Sequence, residues 1–358
     1  MNSNISFTPP HLDPLISVII PCYNAATFLP NCMKCLEVQT IGIEHLELIF
    51  VDDASSDQGA TWEMILAFEA KYPNQVIAIQ HEENKGQAGA RNTGLLYTRG
   101  VYVGFMDQDD FIEPTFHQTM YEKATEYDCD MVQCGYVETY PDGRIRTHAP
   151  KEVFFNYEKS IMDGGSTWPT IWGVTVWNKL FRRSLMTESA AIFPVGLRLE
   201  DYYFNERIRP FISSIYCIEQ TLYHWQRISG SISTSTSLNC LADFIIIGEA
   251  VIAHYQSLGF FNRCLREIEW DLLQFYAGEI SGWFAGSPLN YYHLYCLLSN
   301  SVKKHFPDFE SNPAFVALAD DSFVKQLIAI LNQNYTQEQF QVVATAFRNT
   351  ISKAINAG

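Results

Sequence analysis

The chain has 358 residues, 47% hydrophobic and 18% charged, with a formal net charge of −16. That length and balance describe a globular protein with a real core, in one large domain or two modest ones. The acidic surplus excludes a broad nucleic-acid-binding surface, which needs clustered Lys and Arg to displace counterions, and no run reaches the roughly eighteen apolar residues of a membrane span.

Met1 to Pro14 form a polar, Pro-bearing tail with neither a basic start nor an apolar signal core, which predicts no secretion signal. From Leu15 short β-branched runs alternate with helical stretches. Ile16 to Ile20, Leu46 to Val51, Val76 to Ile79, Tyr102 to Met106 and Met131 to Cys134 read as strands. Phe28 to Val38, Trp62 to Tyr72, Ala88 to Tyr97 and Thr115 to Tyr127 read as helices. This alternation predicts an α/β fold, a parallel sheet with helices packed on it. Nine scattered cysteines fit a reducing cytosol better than a disulfide framework. The tight pair Cys32 and Cys35 has no second pair at zinc-finger spacing, so it reads as buried thiols.

Three of these strands end in polar groups: Pro21-Cys22-Tyr23-Asn24, Asp52-Asp53 and Asp107-Gln108-Asp109-Asp110. In open α/β sheets ligands bind beyond the carboxyl ends of strands, so these loops are expected to face one crevice. Pro141-Asp142-Gly143 marks a tight turn, and Arg144 to about Ser166 is too irregular to assign. After the Ser/Thr-rich stretch Gly230 to Ser237 the texture becomes helical: Leu241 to Tyr255, Asn262 to Phe275 and Phe323 to Leu331 carry apolar residues at three- and four-residue spacing. Phe244 to Ile247 is too short to span a membrane and is flanked by Asp243 and Glu249.

Clustered acids repel one another, so Asp107, Asp109 and Asp110 at a strand end call for a cation or a set of donors. A solvated acidic turn ahead of Pro114 is the plainer alternative. At Asp52-Asp53-Ala54-Ser55-Ser56-Asp57 a carboxylate could accept from a uracil imide or a ribose hydroxyl, while Ser55, Ser56 and Asp57 equally suit capping of the next helix. Asn84 to Asn92 leads into a helix with free backbone N–H groups and positive charges that favour an anion; its small residues equally suit close packing on the sheet. Glu200-Asp201 reads either as an acid–base pair or as a helix start with favourable dipole interactions. Trp168, Trp172 and Trp177 could line a sugar subsite, but at least two of them suit the core.

Taken in order, Ile16-Ser17-Val18-Ile19-Ile20-Pro21-Cys22-Tyr23-Asn24, Phe50 to Asp57, Asn84-Lys85-Gly86 through Ala90-Arg91-Asn92-Thr93-Gly94, and Phe105 to Asp110 resemble the family-2 glycosyltransferases. The resemblance covers about Leu15 to Ser233. It implies a GT-A type mixed, mainly parallel sheet over 15–235, followed by a helical C-terminal region over 236–358. It further implies inverting transfer of a hexosyl or N-acetylhexosaminyl group from a nucleotide-sugar donor, most often UDP-linked, to a glycan or lipid-linked acceptor in bacterial surface polysaccharide synthesis.

By position, the resemblance puts Pro21, Tyr23, Asp52, Asp53, Gly86 and Arg91 beside the nucleotide, and Asp107 on ribose or diphosphate. It gives Asp109 to Mn²⁺ or Mg²⁺, with Asp107 and His224 as further ligands, and it pairs Arg227 with phosphate. Asp201 becomes the general base, with Glu200 beside it, and Trp177 to Arg183 joins Leu199 to Phe204 on the acceptor side. A lone His between Tyr223 and Trp225 is also ordinarily just packed and hydrogen-bonded.

Two other enzyme classes are rivals, the first for its apolar strand ending in acids and the second for its similar fold. A haloacid-dehalogenase-like phosphatase uses such a strand, but here it follows three earlier ones and Asp110 stands where a small residue or Thr is expected. A sugar-nucleotide pyrophosphorylase needs a Gly-rich, Arg-bearing first loop that is absent. A non-catalytic nucleotide-sugar-binding module is a third option. The expected setting is cytoplasmic, with peripheral contact at the inner face of the plasma membrane and self-association through the C-terminal helices both open.

Overall fold

The computed structural model describes residues 13–157, 173–228, 238–285, 291–320 and 322–356. The chain divides into two compact units, Met1–Thr234 and Ser235–Gly358.

The first unit opens with β1 (Ile16–Cys22), α1 (Leu29–Glu37), β2 (Leu46–Asp52), α2 (Ala60–Lys71), β3 (Val76–Gln80), α3 (Gly86–Leu95) and β4 (Tyr102–Phe105). These strands pair in parallel in the order β3-β2-β1-β4. Every residue of β1 and β2 is buried, as a parallel sheet covered on both faces requires. Ile16, Val18 and Ile20 join one core layer with Leu29, Leu36 and Phe50, while Ile19, Ile49 and Val103 join the other with Phe181, Phe193 and Phe204.

Strand order reverses at β1, whose neighbours are β2 and β4. The β1–β4 ladder ends at Ile19 opposite Phe105. Pro21, which has no N–H to give, therefore lies beyond it, where the two strands part and a crevice opens.

There follow β5 (Phe111–Ile112), α4 (Phe116–Glu126), β6 (Met131–Thr139), β7 (Ile145–His148), β8 (Val153–Asn156), β9 (Lys179–Arg182), α5 (Ser184–Glu188), α6 (Glu200–Ile208) and β10 (Ser214–Gln226). They extend the sheet to β3-β2-β1-β4-β9-β6-β10-β5, with β7 on β6 and β8 on β10, ten strands in all among the described residues. β9 runs antiparallel to both β4 and β6, so the sheet is mixed as well as mainly parallel.

The predicted elements appear with ends shifted by a few residues; the predicted strand Met131 to Cys134 continues to Thr139. The segment left unassigned after Arg144 contains β7 and β8, and its remainder lies outside the described residues, as do Trp168 and Trp172. The other strands not expected from sequence, β5, β9 and β10, are held by distant partners. β10 pairs with β6 through two register shifts around Thr221, which break the alternation that would have marked it.

The second unit is helical: α7 (Leu238–Ser257), α8 (Phe260–Arg263), α9 (Leu265–Ala285), α10 (Tyr292–His305), α11 (Pro313–Val316), α12 (Phe323–Ile330) and α13 (Gln337–Asn356). The helix expected over Asn262 to Phe275 is interrupted at Cys264 and then runs on to Ala285. Tyr295 anchors the far end: its ring stacks on Phe340 at 4.6 Å and its hydroxyl donates to the Gln333 carbonyl at 2.7 Å. Among the described residues no helix is long and apolar enough to cross a membrane.

Candidate active site

The loops after β1, β2, β3 and β4 are wired to one another. Tyr23 N–H donates to Gln108 Oε1 at 2.8 Å and Gln108 Nε2 returns a bond to the Tyr23 carbonyl at 3.2 Å, which joins the two sides of the crevice. Asn24 bonds Ser55 and Ser56, tying the β1 and β2 loops together. Pro21 is buried beneath them and Tyr23 is 44% exposed.

Asp52 is wholly buried, with one oxygen accepting from Ser55 N–H and Oγ and the other from Gln80 Nε2. Its contacts all lie within the protein and hold the loop. Asp53 is clamped differently: its Oδ1 is 2.7 Å from His81 Nδ1 and accepts from Lys85 N–H at 2.9 Å, while His81 Nε2 lies 2.8 Å from Thr93 Oγ1. Gly86 starts α3 at φ +73°, and a Cβ built there would meet nothing within 4 Å, so the backbone faces open space where a ligand can approach.

Four consecutive residues of α3 explain why that helix reads as it does. Arg91, 1% exposed, donates from Nη2 to Asp107 Oδ1 at 2.8 Å and from Nη1 to Asp201 Oδ1 at 2.6 Å, with Glu200 at 3.8 Å. Asn92 exchanges two 2.8 Å bonds with the backbone of Phe193, whose ring lies 5.3 Å from the Arg91 guanidinium and stacks on Phe204 at 4.1 Å. Thr93 steadies His81, and Gly94 is pressed on the sheet so closely that a Cβ would come within 2.5 Å of Ile19 Cγ2.

Asp107 also accepts from Gln87 Nε2 at 2.7 Å. Asp110, the innermost acid, accepts from Tyr223 OH and from Gln226 N–H, both at 2.8 Å, and burial raises its carboxyl well above the usual range. Tyr223 is in turn stacked on Trp177 at 4.3 Å, so Trp177 belongs to the core that supports the acidic turn. At Asp109, burial and the neighbouring Asp107 push the carboxyl up to about 6, against the pull of its own backbone N–H. It borders a cavity of about 230 Å³ with Phe28, Asn31 and Gln226. Burial pushes the Asp201 carboxyl up to about 7 against the pull of Arg91, with Glu200 and Asp107 adding to the rise.

At the end of β10 and just past it the two remaining candidates are engaged elsewhere. His224 Nε2 lies 2.7 Å from Glu113 Oε1, and Arg227 donates to the buried Glu138 at 2.7 Å while its guanidinium covers the Trp225 ring at 4.0 Å. Among the described residues no three His, Cys, Asp or Glu side chains gather closely enough to hold an ion, so Asp107, Asp109 and His224 do not form a closed cage. The donor set fits a different kind of site. A hard cation that keeps its waters is bound through one or two carboxylates and completed by substrate phosphates, and the destabilised anion of Asp109 is the group such a cation would relieve.

The structure therefore brings together Asp107, Arg91, Asp201 and Glu200, and joins Tyr23 and Asp53 to the same strand ends. His81 and Phe193 had no signal in the sequence, since each acts through a partner far along the chain; Gln87, Gln108 and Tyr223 stood in stretches singled out there, but their residue types did not disclose the partners they hold. Lys85 stood in a quoted motif, but its contribution is a backbone N–H that no residue type announces.

A model of the family described as Glycosyl transferase family 2 matches residues 17–189. EpsH of Bacillus subtilis is 31% identical over 225 residues, 60% of this chain and 61% of EpsH, so the chain matches about three fifths of that relative's length. The glycosyltransferase GlyG of Streptococcus pneumoniae is 30% identical over 226 residues, 61% of this chain and 72% of GlyG. Among solved structures, TarS 1–349 of S. aureus in complex with UDP-GlcNAc superposes with a TM-score of 0.66 over 94% of this chain and 92% of that one, at 19% identity, a likeness of fold.

Proposed function

The chain belongs to glycosyl transferase family 2, and from that premise we propose that it transfers a sugar, with inversion, from a UDP-linked donor to a hydroxyl of a glycan or lipid-linked acceptor in surface polysaccharide synthesis. The observation that carries the reading is Arg91. One buried guanidinium joins Asp107, read on the donor side, to Asp201, read on the acceptor side, so the carboxylate beside the diphosphate and the carboxylate that takes the proton stand on opposite arms of one fork.

In this reading Asp53, oriented by His81 and Lys85 N–H, accepts from the uracil imide, and the exposed Tyr23 ring covers the base. Asp107 and Asp109 would hold Mn²⁺ or Mg²⁺ through the diphosphate; the ion, when bound, draws charge from the departing diphosphate. Asp201 takes the acceptor hydroxyl's proton as that oxygen attacks the anomeric carbon. A carboxyl held near 7 suits this, since a general base works best with its pKa close to the working pH. Glu200 adds a longer ion pair to the same arm of Arg91, at 3.8 Å. The UDP-GlcNAc bound by the similarly folded TarS supports a UDP-linked donor.

Calorimetry with UDP and Mn²⁺ tests the donor half. UDP is expected to bind tightly only with the ion, and Asp109→Ala to abolish the ion-dependent part. Asp201→Asn is expected to keep nucleotide binding and lower turnover of a UDP-sugar by about 10²–10⁴-fold, the usual worth of a general base. Absence of binding by UDP, GDP and dTDP alike would end the proposal.

A further inference from the structure

Beneath the base helix lies a second buried polar cluster that sugar transfer, as read above, does not use. Lys179, Asn178 and Asn205 are each at most 1% exposed. Lys179 makes no ion pair among the described residues. Its ammonium donates to the backbone carbonyl of Thr175, to that of Gly173 at 3.4 Å and to Asn178 Oδ1 at 3.3 Å. Asn178 is fixed by Thr175 Oγ1, which donates to it at 2.8 Å, and by its own bond to the Cys134 carbonyl at 2.7 Å.

From the other side, Asn205 on α6 donates to the Val174 carbonyl at 2.7 Å and to the Asp201 carbonyl at 2.9 Å, and its Oδ1 is buried without a partner. Residues 173–175 are thus gripped from below by a lysine of β9 and from the side by an asparagine on the helix that carries Asp201. A buried cation whose donors go to backbone carbonyls is costly, and an apolar residue of the same volume would fill the space more cheaply. Burial lowers Lys179 to about 7, and Asp201 is the largest influence that raises it again.

We propose that Lys179 and Asn205 are positioning residues for the transfer step, tying strap 173–175 to the first turn of the base helix so that the acceptor side of the site and Asp201 move as one piece. This rests on Asp201 being the base. The reach is short: Asn205 bonds the base's own carbonyl, so losing either grip changes where the carboxylate points, while Asp53, Asp107 and the strand ends stay as they are.

The test uses the full chain with two near-isosteric variants, Lys179→Met and Asn205→Leu. UDP with Mn²⁺ is expected to bind each within about threefold of the wild type, while turnover of a UDP-sugar at saturating donor falls about 10- to 100-fold, the loss that a misplacement of about 1 Å produces. Hydrogen exchange is expected to quicken at residues 173–178 and at the first turn of α6, and not along β1 or β2. Unchanged turnover in both variants, or nucleotide affinity falling in step with turnover, overturns the proposal; so does failure of both variants to fold, which would make the cluster purely structural. If the wild type binds no nucleotide and turns over no UDP-sugar, the functional reading has failed instead, and the exchange measurement still decides whether the tie exists.

Discussion

The parallel and antiparallel parts of the sheet build their sides of the crevice in different ways. On the parallel side each strand end brings its own polar group and that group is held by near neighbours in space: Asp52 by Ser55 and Gln80, Asp53 by His81 and Lys85. On the antiparallel side the contacts span long stretches of chain. Arg91 reaches Asp201 across 110 positions and Tyr223 reaches Asp110 across 113. On the proposed reading, a nucleotide pocket made of several small, independent clamps can lose one and keep its shape, whereas a base held by one cation cannot.

The largest expected effect follows from the residue that belongs to both sides. Arg91→Met leaves Asp107 and Asp201 facing each other without a counter-charge, and breaking a buried pair in this way costs about 3–5 kcal/mol. Because both carboxylates keep 19% exposure, the lower end applies. Denaturant unfolding should show that loss, with UDP affinity and turnover falling together. Arg91→Lys restores a charge but not the fork, so it should recover one carboxylate and not both. If Arg91→Met lowered turnover alone and left nucleotide binding intact, the two sides would not share this residue.

The same contrast explains what the sequence disclosed. The strand-end acids were legible because a β-branched run that stops at a carboxylate is a local pattern, visible within a few residues: Val51 then Asp52 and Asp53, Met106 then Asp107. Asp201 was reached through resemblance. Nothing in Leu199-Glu200-Asp201 says that a guanidinium from α3 will meet it, and β9, only four residues long, shows no pattern that would separate it from a loop. His224 and Arg227 show the converse. Their residue types suit an ion and a phosphate, yet Glu113 and Glu138, brought in by β5 and β6, engage them in this structure. Long-range pairing decides these positions, and pairing register is not written in the segment itself.

A smaller effect sharpens the comparison on the parallel side. His81→Phe removes one of the two donors on Asp53 Oδ1 and keeps the ring's bulk. A hydrogen bond to a charged group contributes about 1.5 kcal/mol to folding, so the variant should lose about that much stability, and UDP affinity should weaken because Asp53 is no longer held in place. Turnover at saturating donor should not change, since Asp201 lies on the other side. A fall in saturated turnover matching the loss of affinity would mean that the clamps are not independent.

The smallest effect concerns stability, and its sign is opposite to that of the others. Asp109 has its carboxyl raised to about 6 in the folded chain, by burial first and by Asp107 second, against an ordinary value of 3.8. Between those values the folded state holds a proton that the unfolded state has lost, so folding loses stability as pH rises through that window and does not regain it above. Asp109→Asn removes this liability. Partial exposure screens the gain to on the order of 1 kcal/mol at pH 7.5, which is roughly 2–4 °C in melting temperature for a unit of this size. The variant and the wild type should converge only below about pH 3.8, where the side chain is neutral in the folded and the unfolded chain alike. Adding Mn²⁺ with UDP should reverse the order at pH 7.5, because only the wild type offers the carboxylate and a ligand that binds the folded state stabilises it. A variant that melts no higher than the wild type at pH 7.5, or by a margin indifferent to pH, would mean that Asp109 is not held at a cost, and the raised carboxyl would no longer argue for a cation at that turn.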